Sequence, residues 1–413
     1  MRILHYVPQY YPVEYGGMER HTRELSIQLA EMGHSVSVYT TDALELENFR
    51  CKKYLKELTS NDSGVRVFRF HVVNSVFLRT AIKYLRMICD KGRRTGALRP
   101  DSLLFSDALS YSTSVPALWL TLPRAKDFDV VNGTMCGFGE LFFLERNCQK
   151  NKVPFVFTPR SHTLNPDFSR TFSVWLKIAK KADAVIALTK FEKDYYIRNG
   201  VDESRVFVTG IGIFPEKYET SDAVSFKIQH GIPTHHKVVA QVGRMVAYKG
   251  ADVIIRSMKK VWKEAPETHL VVLGTSTRYT EELRRITEKE KRILLLPNAS
   301  DKTKADMLSA SDLLVSTSEY ESFGGVFLEA WAAGKPIIST RTPVSECVIK
   351  EGKDGLLYNA SDTNGLANKI TFLLKDENAA KEMGKKGKEK TLANYTWEKI
   401  AQLTLNAYES MRK

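Results

Sequence analysis

The stretch VVAQVGRMVAYKGADVIIRSMKKVWKE, residues 238–264, decides the fold. Val238 to Val242 is a short apolar run that reads as a buried strand, and residues 251–264 read as a helix. Between them lies a glycine-flanked turn, Gly243 to Gly250, which carries Arg244 and Lys249. The same alternation continues downstream. Strands are predicted at 269–273, 292–296, 312–316 and 337–339, and helices at 280–290, 303–310 and from about 324. Upstream, strands are predicted at Arg2 to Val7, Ser35 to Thr40, Val65 to Phe70, 130–131, 153–158 and 184–188. A helix at 18–32 carries Leu25, Leu29 and Met32 on one face, with Gly33 as its stop. Strands separated by helical patterns imply βαβ units and parallel sheets.

The segment 214–236 holds Pro215, Gly231, Pro233 and polar residues, and marks a domain boundary. The expected architecture is α/β: two Rossmann-like, doubly wound domains facing one another across a cleft. The N-terminal domain takes residues 1–213, and the family resemblance that the motifs below carry implies that a last helix, 397–413, returns to it. The C-terminal domain takes 214–396.

Composition narrows the function classes. The chain has 413 residues and a net charge of +13 from 61 basic and 48 acidic side chains. Five scattered cysteines, with no CxxC pair, argue against a disulfide framework or structural zinc and for a reducing compartment. No run reaches the roughly 18 apolar residues of a membrane span. The opening MRILHYVPQYYP lacks an apolar segment before Pro8 and predicts no secretory signal. The basic balance leaves nucleic acid, a phosphorylated small molecule or an acidic membrane as anionic partners.

Ligands of open parallel sheets sit at the carboxyl ends of strands, so the strand-to-helix turns carry the chemistry. Gly16-Gly17, before the first helix, lets a backbone approach a ligand closely. It is not a GxGxxG fingerprint. In the Gly243–Gly250 turn, Arg244 and Lys249 can converge on one diphosphate, the first as a fork and the second as a point charge. After the strand at 312–316, Gly324-Gly325 expose amides where a helix begins. Glu321 stands before that helix and Glu329 lies within it among Val326, Phe327, Leu328, Ala330 and Trp331. A carboxylate in such surroundings needs a partner, and a ribose diol donating two hydrogen bonds is one. Thr158-Pro159-Arg160-Ser161-His162 brings an Arg and a His to the end of another strand.

These residues together resemble the retaining, GDP/UDP-sugar-type glycosyltransferases of family four, which have the GT-B fold. The resemblance covers nearly the whole chain: the opening GGMERHTRELSIQLAEMGHSVSVYTT, the strand Ala182–Thr189, Gly210-Ile211-Gly212, Gly243-Arg244 with Lys249-Gly250, and Glu321 to Glu329 as a Glu-x7-Glu signature followed by Gly334-Lys-Pro-Ile-Ile-Ser. It implies that Arg244 and Lys249 bind the donor diphosphate and stabilise its departing charge. Glu329 would hold the ribose hydroxyls. Glu321, with the amides of Phe323, Gly324 and Gly325, would hold the hexose and phosphate. The amide of Gly17 would touch the diphosphate, and the backbone at Pro297-Asn298-Ala299 would face the base. Arg160 stands where the family frequently has His, and His162 follows two residues later; Arg160, His162 or both contact the sugar.

The implied reaction moves a hexose from a UDP- or GDP-sugar to a hydroxyl of a lipid-linked or glycan acceptor. It proceeds with retention, by front-face displacement, with the donor as substrate, no separate cofactor and no required metal. The stretch 76–94 is basic and amphipathic, with Leu78, Ile82, Leu85 and Cys89 on one stripe and Arg79, Lys83 and Arg86 on its neighbour. Such a helix fits an anionic membrane as well as a domain surface. The expected location is cytoplasmic, peripheral at the inner face of the membrane. A nucleotide-sugar epimerase of the same fold is the nearest alternative. An NAD-dependent oxidoreductase lacks its fingerprint here, and the chain shows no nucleic-acid-binding motif.

Overall fold

The computed structural model describes residues 1–13, 16–47, 50–73, 80–81, 83–85, 87–89, 91, 122–134, 139–160 and 169–411. They form two compact units: Met1–Thr209 with Ile400–Lys413, and Gly210–Lys399.

Unit 1 contains β1 (Arg2–Tyr6), α1 (Gly17–Glu31), β2 (Ser35–Thr41), β3 (Ala43–Glu47), β4 (Arg50–Tyr54), β5 (Thr59–Asp62), β6 (Val65–Phe70), β7 (Val130–Thr134), α2 (Glu140–Asn151), β8 (Phe155–Thr158), α3 (Ser169–Lys181), β9 (Ala184–Ala187), α4 (Lys190–Arg198) and β10 (Val206–Val208). Its main sheet runs β10-β9-β8-β7-β1-β2-β6-β5. The central strands carry fully buried Ile3, Leu4, Val38, Val131 and Val156, as expected of a parallel sheet covered on both faces.

Two features depart from a purely parallel reading. β5 joins antiparallel to β6, and β3 pairs antiparallel with β4 as a separate ribbon. The β5–β6 hairpin is written in Asn61-Asp62-Ser63-Gly64. Ser63 and Gly64 both take left-handed backbone angles (φ 51° and 88°), and Gly64 N–H donates to Asn61 Oδ1 at 2.9 Å. That is a two-residue turn of the kind that closes hairpins. Because β5 reads Thr-Ser-Asn-Asp, it has no apolar run to announce a strand.

Of the predicted 76–94 helix, the described residues are helical. Cys89 is buried, Leu85 half-buried, and Tyr84, Met87 and Ile88 are exposed. Leu78, Arg79, Ile82 and Arg86 lie outside the described residues.

Unit 2 contains α5 (Ala223–Gln229), β11 (Lys237–Val242), α6 (Ala251–Glu264), β12 (Thr268–Gly274), α7 (Tyr279–Thr287), β13 (Ile293–Pro297), α8 (Asp301–Ala310), β14 (Leu313–Ser316), α9 (Gly325–Ala332), β15 (Ile337–Thr340), α10 (Pro343–Val348), β16 (Gly355–Tyr358), α11 (Thr363–Lys375) and α12 (Glu377–Asn394). The sheet is parallel, in the order β13-β12-β11-β14-β15-β16. The chain winds outward from β11 through β13, then returns to the other side of β11 at β14. The topological switch point therefore lies between β11 and β14, where ligands of such sheets bind.

The last helix, α13 (Trp397–Glu409), starts in unit 2 and continues into unit 1. Its anchor in unit 1 is a buried chain of hydrogen bonds. Thr158 Oγ1 donates to Asn132 Oδ1 (2.9 Å), and Asn132 Nδ2 donates to Tyr408 Oη (2.7 Å). Tyr408 Oη is 3.1 Å from His5 Nε2, and His5 Nδ1 is 2.7 Å from Ser26 Oγ, which donates to the Thr22 carbonyl at 2.6 Å. One tautomer satisfies every member: Tyr408 donates to Nε2, and Nδ1–H donates to Ser26. Burial, with the Arg160 charge behind it, holds His5 down at about 3, well below its ordinary 6.5. His21 is depressed for the same two reasons.

Tyr408→Phe leaves the Asn132 amide and His5 Nε2 without their partner. We expect a loss of about 1–3 kcal/mol in unit 1 stability, read by chemical denaturation at pH 7. The same imidazole sets an acid limit. The native state refuses a proton that the unfolded chain accepts below about 6.5. His5 thus contributes fully above that pH, and its contribution drains away as pH falls toward about 3. Between pH 6.5 and 5 the loss is about 2 kcal/mol for His5 alone. Protection factors of the β1 amides, taken against intrinsic exchange at each pH, should fall over this window; unchanged protection factors would refute the neutral imidazole.

Candidate active site

The turns at the switch point of unit 2 are built around one lysine. Gln241, at the end of β11, donates through Nε2 to the Lys249 carbonyl (3.0 Å) and to Thr317 Oγ1 (2.8 Å). Thr317 Oγ1 donates to the same Lys249 carbonyl at 2.7 Å. Glu319 N–H reaches the Tyr248 carbonyl at 3.1 Å, tying the turn after β14 to the turn after β11. Gly250 takes a left-handed φ of 65°, and a Cβ there would stand 2.7 Å from the Thr317 carbonyl oxygen. Only glycine fits that junction. The Lys249 backbone is thereby fixed, and its ammonium meets Glu321 Oε1 at 2.5 Å, with both side chains mostly buried. Arg244 is exposed, and its Nη2 donates to Tyr248 Oη at 2.9 Å.

Gly324 caps α9 in a left-handed conformation (φ 92°) that a side chain would spoil by running into the Phe327 ring. Phe323 is buried against Tyr395, with ring centroids 5.4 Å apart. Gly325, the first residue of α9, packs near Ile211, so the Gly210-Ile211-Gly212 segment lies beside the start of that helix. Glu329, one turn on, is not left alone among apolar neighbours. Lys304 from α8 donates to its Oε1 at 2.6 Å, and the two side chains are only 12% and 18% exposed.

Asn298 follows β13 with a left-handed φ of 56°. Its N–H donates to the Gly274 carbonyl (2.8 Å), and its Oδ1 accepts from Ser276 N–H (2.9 Å). It thus joins the turns after β12 and β13. Gly274 in turn lies against Gly243, where an added Cβ would sit 1.6 Å from the carbonyl oxygen. Gly274→Ala must push the 243–245 turn aside. We expect a loss of about 1–3 kcal/mol in stability, checked by thermal denaturation.

Unit 2 therefore carries Arg244, Lys249, Glu321, Phe323, Gly324, Gly325, Glu329 and Asn298 on the carboxyl ends of β11, β13 and β14 and the helices that follow. Gly17 belongs to unit 1. It opens α1, and a Cβ there meets nothing within 4 Å. Arg160, also in unit 1, is 3% exposed with a left-handed φ of 48°. Burial pulls its guanidinium down to about 9, against the opposing pull of Glu19, Glu192 and Tyr408. His162 lies outside the described residues. Sequence reading missed Lys304, Gln241 and Thr317. The carboxylate of Glu329 called for a partner, for which a ribose diol was the expectation, and nothing in spacing pointed to a lysine on another helix.

Among the described residues, no helix is long and apolar enough to cross a membrane.

Comparison with known proteins agrees with this organisation. A sequence profile described as Glycosyltransferase Family 4 matches residues 15–217, and one described as Glycosyl transferases group 1 matches residues 224–390. The N-acetyl-alpha-D-glucosaminyl L-malate synthase of Bacillus anthracis is 31% identical over 44% of this chain; the match spans about half of that relative's length (48%). The D-inositol 3-phosphate glycosyltransferase of Corynebacterium urealyticum is 24% identical over 96% of this chain and 91% of its own. Among solved structures, Anabaena HepE in complex with UDP and glucose superposes with a TM-score of 0.74 at 17% identity, covering 99% of this chain and 100% of that one. Sucrose-phosphate synthase from Thermosynechococcus elongatus superposes with a TM-score of 0.76 at 20% identity, covering 100% and 99%.

Proposed function

The chain belongs to glycosyltransferase family 4 and has the GT-B fold, and from that premise we propose that it moves a hexose from a UDP- or GDP-sugar to a hydroxyl of a lipid-linked or glycan acceptor, with retention of anomeric configuration. The observation that carries this reading is the pair of lysine–carboxylate contacts at the switch point, Lys249 with Glu321 and Lys304 with Glu329. A diphosphate competes with Glu321 for the Lys249 ammonium. Once Lys249 turns to a phosphate oxygen, the Glu321 carboxylate is released to accept hydrogen bonds from hexose hydroxyls. Glu329 accepts two hydrogen bonds from the ribose diol while Lys304 balances its charge.

Bond breaking places new negative charge on the leaving phosphate. Lys249, Arg244 and the amides of Phe323, Gly324 and Gly325 stand where that charge grows, preorganised before reaction. The anomeric carbon parts from its phosphate oxygen and joins the acceptor oxygen on the same face. The acceptor proton passes to the departing phosphate. Transfer then needs no metal, and the family resemblance offers Arg160, His162 or both for contact with the sugar. Support for a UDP-sugar donor comes from HepE, which has been crystallised with UDP, with UDP and glucose, and with UDP-glucose.

A thermal-shift screen of UDP- and GDP-hexoses selects the donor, and acceptor trials with NMR product analysis follow. The expected result is donor consumption that depends on acceptor and gives a product of unchanged anomeric configuration. Conversion of donor alone to an isomeric nucleotide sugar would replace the transferase by an epimerase.

A further inference from the structure

The opposite edge of the unit 2 sheet carries a second cluster of chemistry-bearing side chains. β11 and β12 run parallel with Lys237 opposite Thr268, so the residues just before the two strands come side by side. Those residues are His235 and His236 before β11 and Glu267 before β12. One ligand atom from each of the three lies within 4.8 Å of the other two. His236 Nδ1 is also 3.0 Å from Nε2 of His269, the second residue of β12. Only one proton fits between those nitrogens. With it on His236 Nδ1, His236 donates to His269 and keeps a lone pair on Nε2. A ligating histidine is usually held in this way, its second N–H donated to a neighbour that fixes tautomer and ring orientation.

The loop bearing the histidines is well tied. His236 N–H donates to the Pro233 carbonyl, and Lys237 N–H to the Glu267 carbonyl, both at 2.9 Å. Lys227 Nζ donates to the Thr234 and His236 carbonyls at 2.9 and 2.7 Å. That lysine is occupied by backbone. Arg292, a cation near His269, is engaged by both Glu290 oxygens at 2.7 Å, and Lys237 Nζ by Glu377 at 2.7 Å. The two strands thus hold the three ligand residues together without needing a metal to fold them into place.

We propose that this edge binds one divalent transition-metal ion of the zinc class, with His235, His236 and Glu267 as protein ligands and water completing the coordination. Two imidazole nitrogens and one carboxylate suit Zn²⁺, Co²⁺ or Ni²⁺; Mg²⁺ and Ca²⁺ prefer sites built of oxygen alone. The site lies at the amino ends of the strands, whereas Arg244, Lys249 and Glu321 lie at the carboxyl ends. The ion therefore fastens the loop after α5 to the start of β12 and takes no part in sugar transfer.

The test uses the full chain. Calorimetry with ZnCl₂ should give one ion per chain, and CoCl₂ should give visible absorption in the same stoichiometry. The thermal midpoint should rise with ZnCl₂ but not with MgCl₂. His236→Ala and Glu267→Gln should each weaken Zn²⁺ at least ~10-fold. His230→Ala, outside the cluster, should not. Far-UV circular dichroism without metal checks that the variants fold; should His236→Ala fail, the exposed positions His235 and Glu267 still carry the test. Absence of stoichiometric binding by the unaltered chain would overturn the proposal. So would full affinity in Glu267→Gln and His235→Ala, which would place the ion elsewhere.

Discussion

Lys249→Ala should lower kcat for sugar transfer by ~10²–10³-fold, the cost of losing one preorganised charge-stabilising donor, while KM for the donor changes much less. The reason lies in how the side chain is held. Gln241 and Thr317 fix its carbonyl, and Glu321 holds its ammonium at 2.5 Å before any donor arrives. The backbone is set during folding and the ammonium passes from Glu321 to the phosphate when the donor binds, so it is already in place as charge moves onto the phosphate. Removing the lysine also leaves Glu321 without its cation. Single-turnover measurement of nucleotide release separates this effect from binding. Turnover equal to that of the unaltered chain would remove Lys249 from the diphosphate. Tyr248 is not a neutral control, because its hydroxyl holds Arg244 at 2.9 Å.

Glu329→Ala should weaken UDP or GDP by ~10²-fold in calorimetry, since two hydrogen bonds to a charged acceptor disappear. A 2′-deoxyribose nucleotide sharpens the test. It should bind the unaltered chain more weakly than the ribonucleotide does, yet the two should bind the variant nearly alike. That coupling reports contact between carboxylate and diol rather than a general disturbance. Unchanged ribonucleotide affinity would sink the assignment. Lys304→Met should produce a smaller effect of the same sign, because it removes only the cation that balances Glu329.

The parts of the site that were legible share a property: they are local in sequence. Gly243 to Gly250 and Glu321 to Glu329 each sit on one strand–turn–helix, so periodicity and glycine placement reveal them. The switch point itself was not legible, since it depends on which side of β11 the chain returns to. Gln241 lies within the predicted strand Val238–Val242 with nothing to single it out, yet its amide joins two turns. Lys304 pairs with Glu329 across two helices, a contact with no characteristic spacing. In unit 1, the Asn61–Gly64 turn was present as a hairpin signal, but the polar strand before it gave no apolar pattern to attach it to. The buried bonds from Thr158 to Ser26 join five separate elements, and no sequence pattern foretells them.

The Tyr408 anchor has a consequence for the order in which the molecule is completed. Residues 210–399 form a unit from one continuous stretch of chain. The unit begun by β1 is different. His5 and Asn132 leave the ribosome early, but the hydroxyl that completes their bonds emerges only after residues 210–399 have been made. The half of the protein that is synthesised first is therefore the half that is finished last.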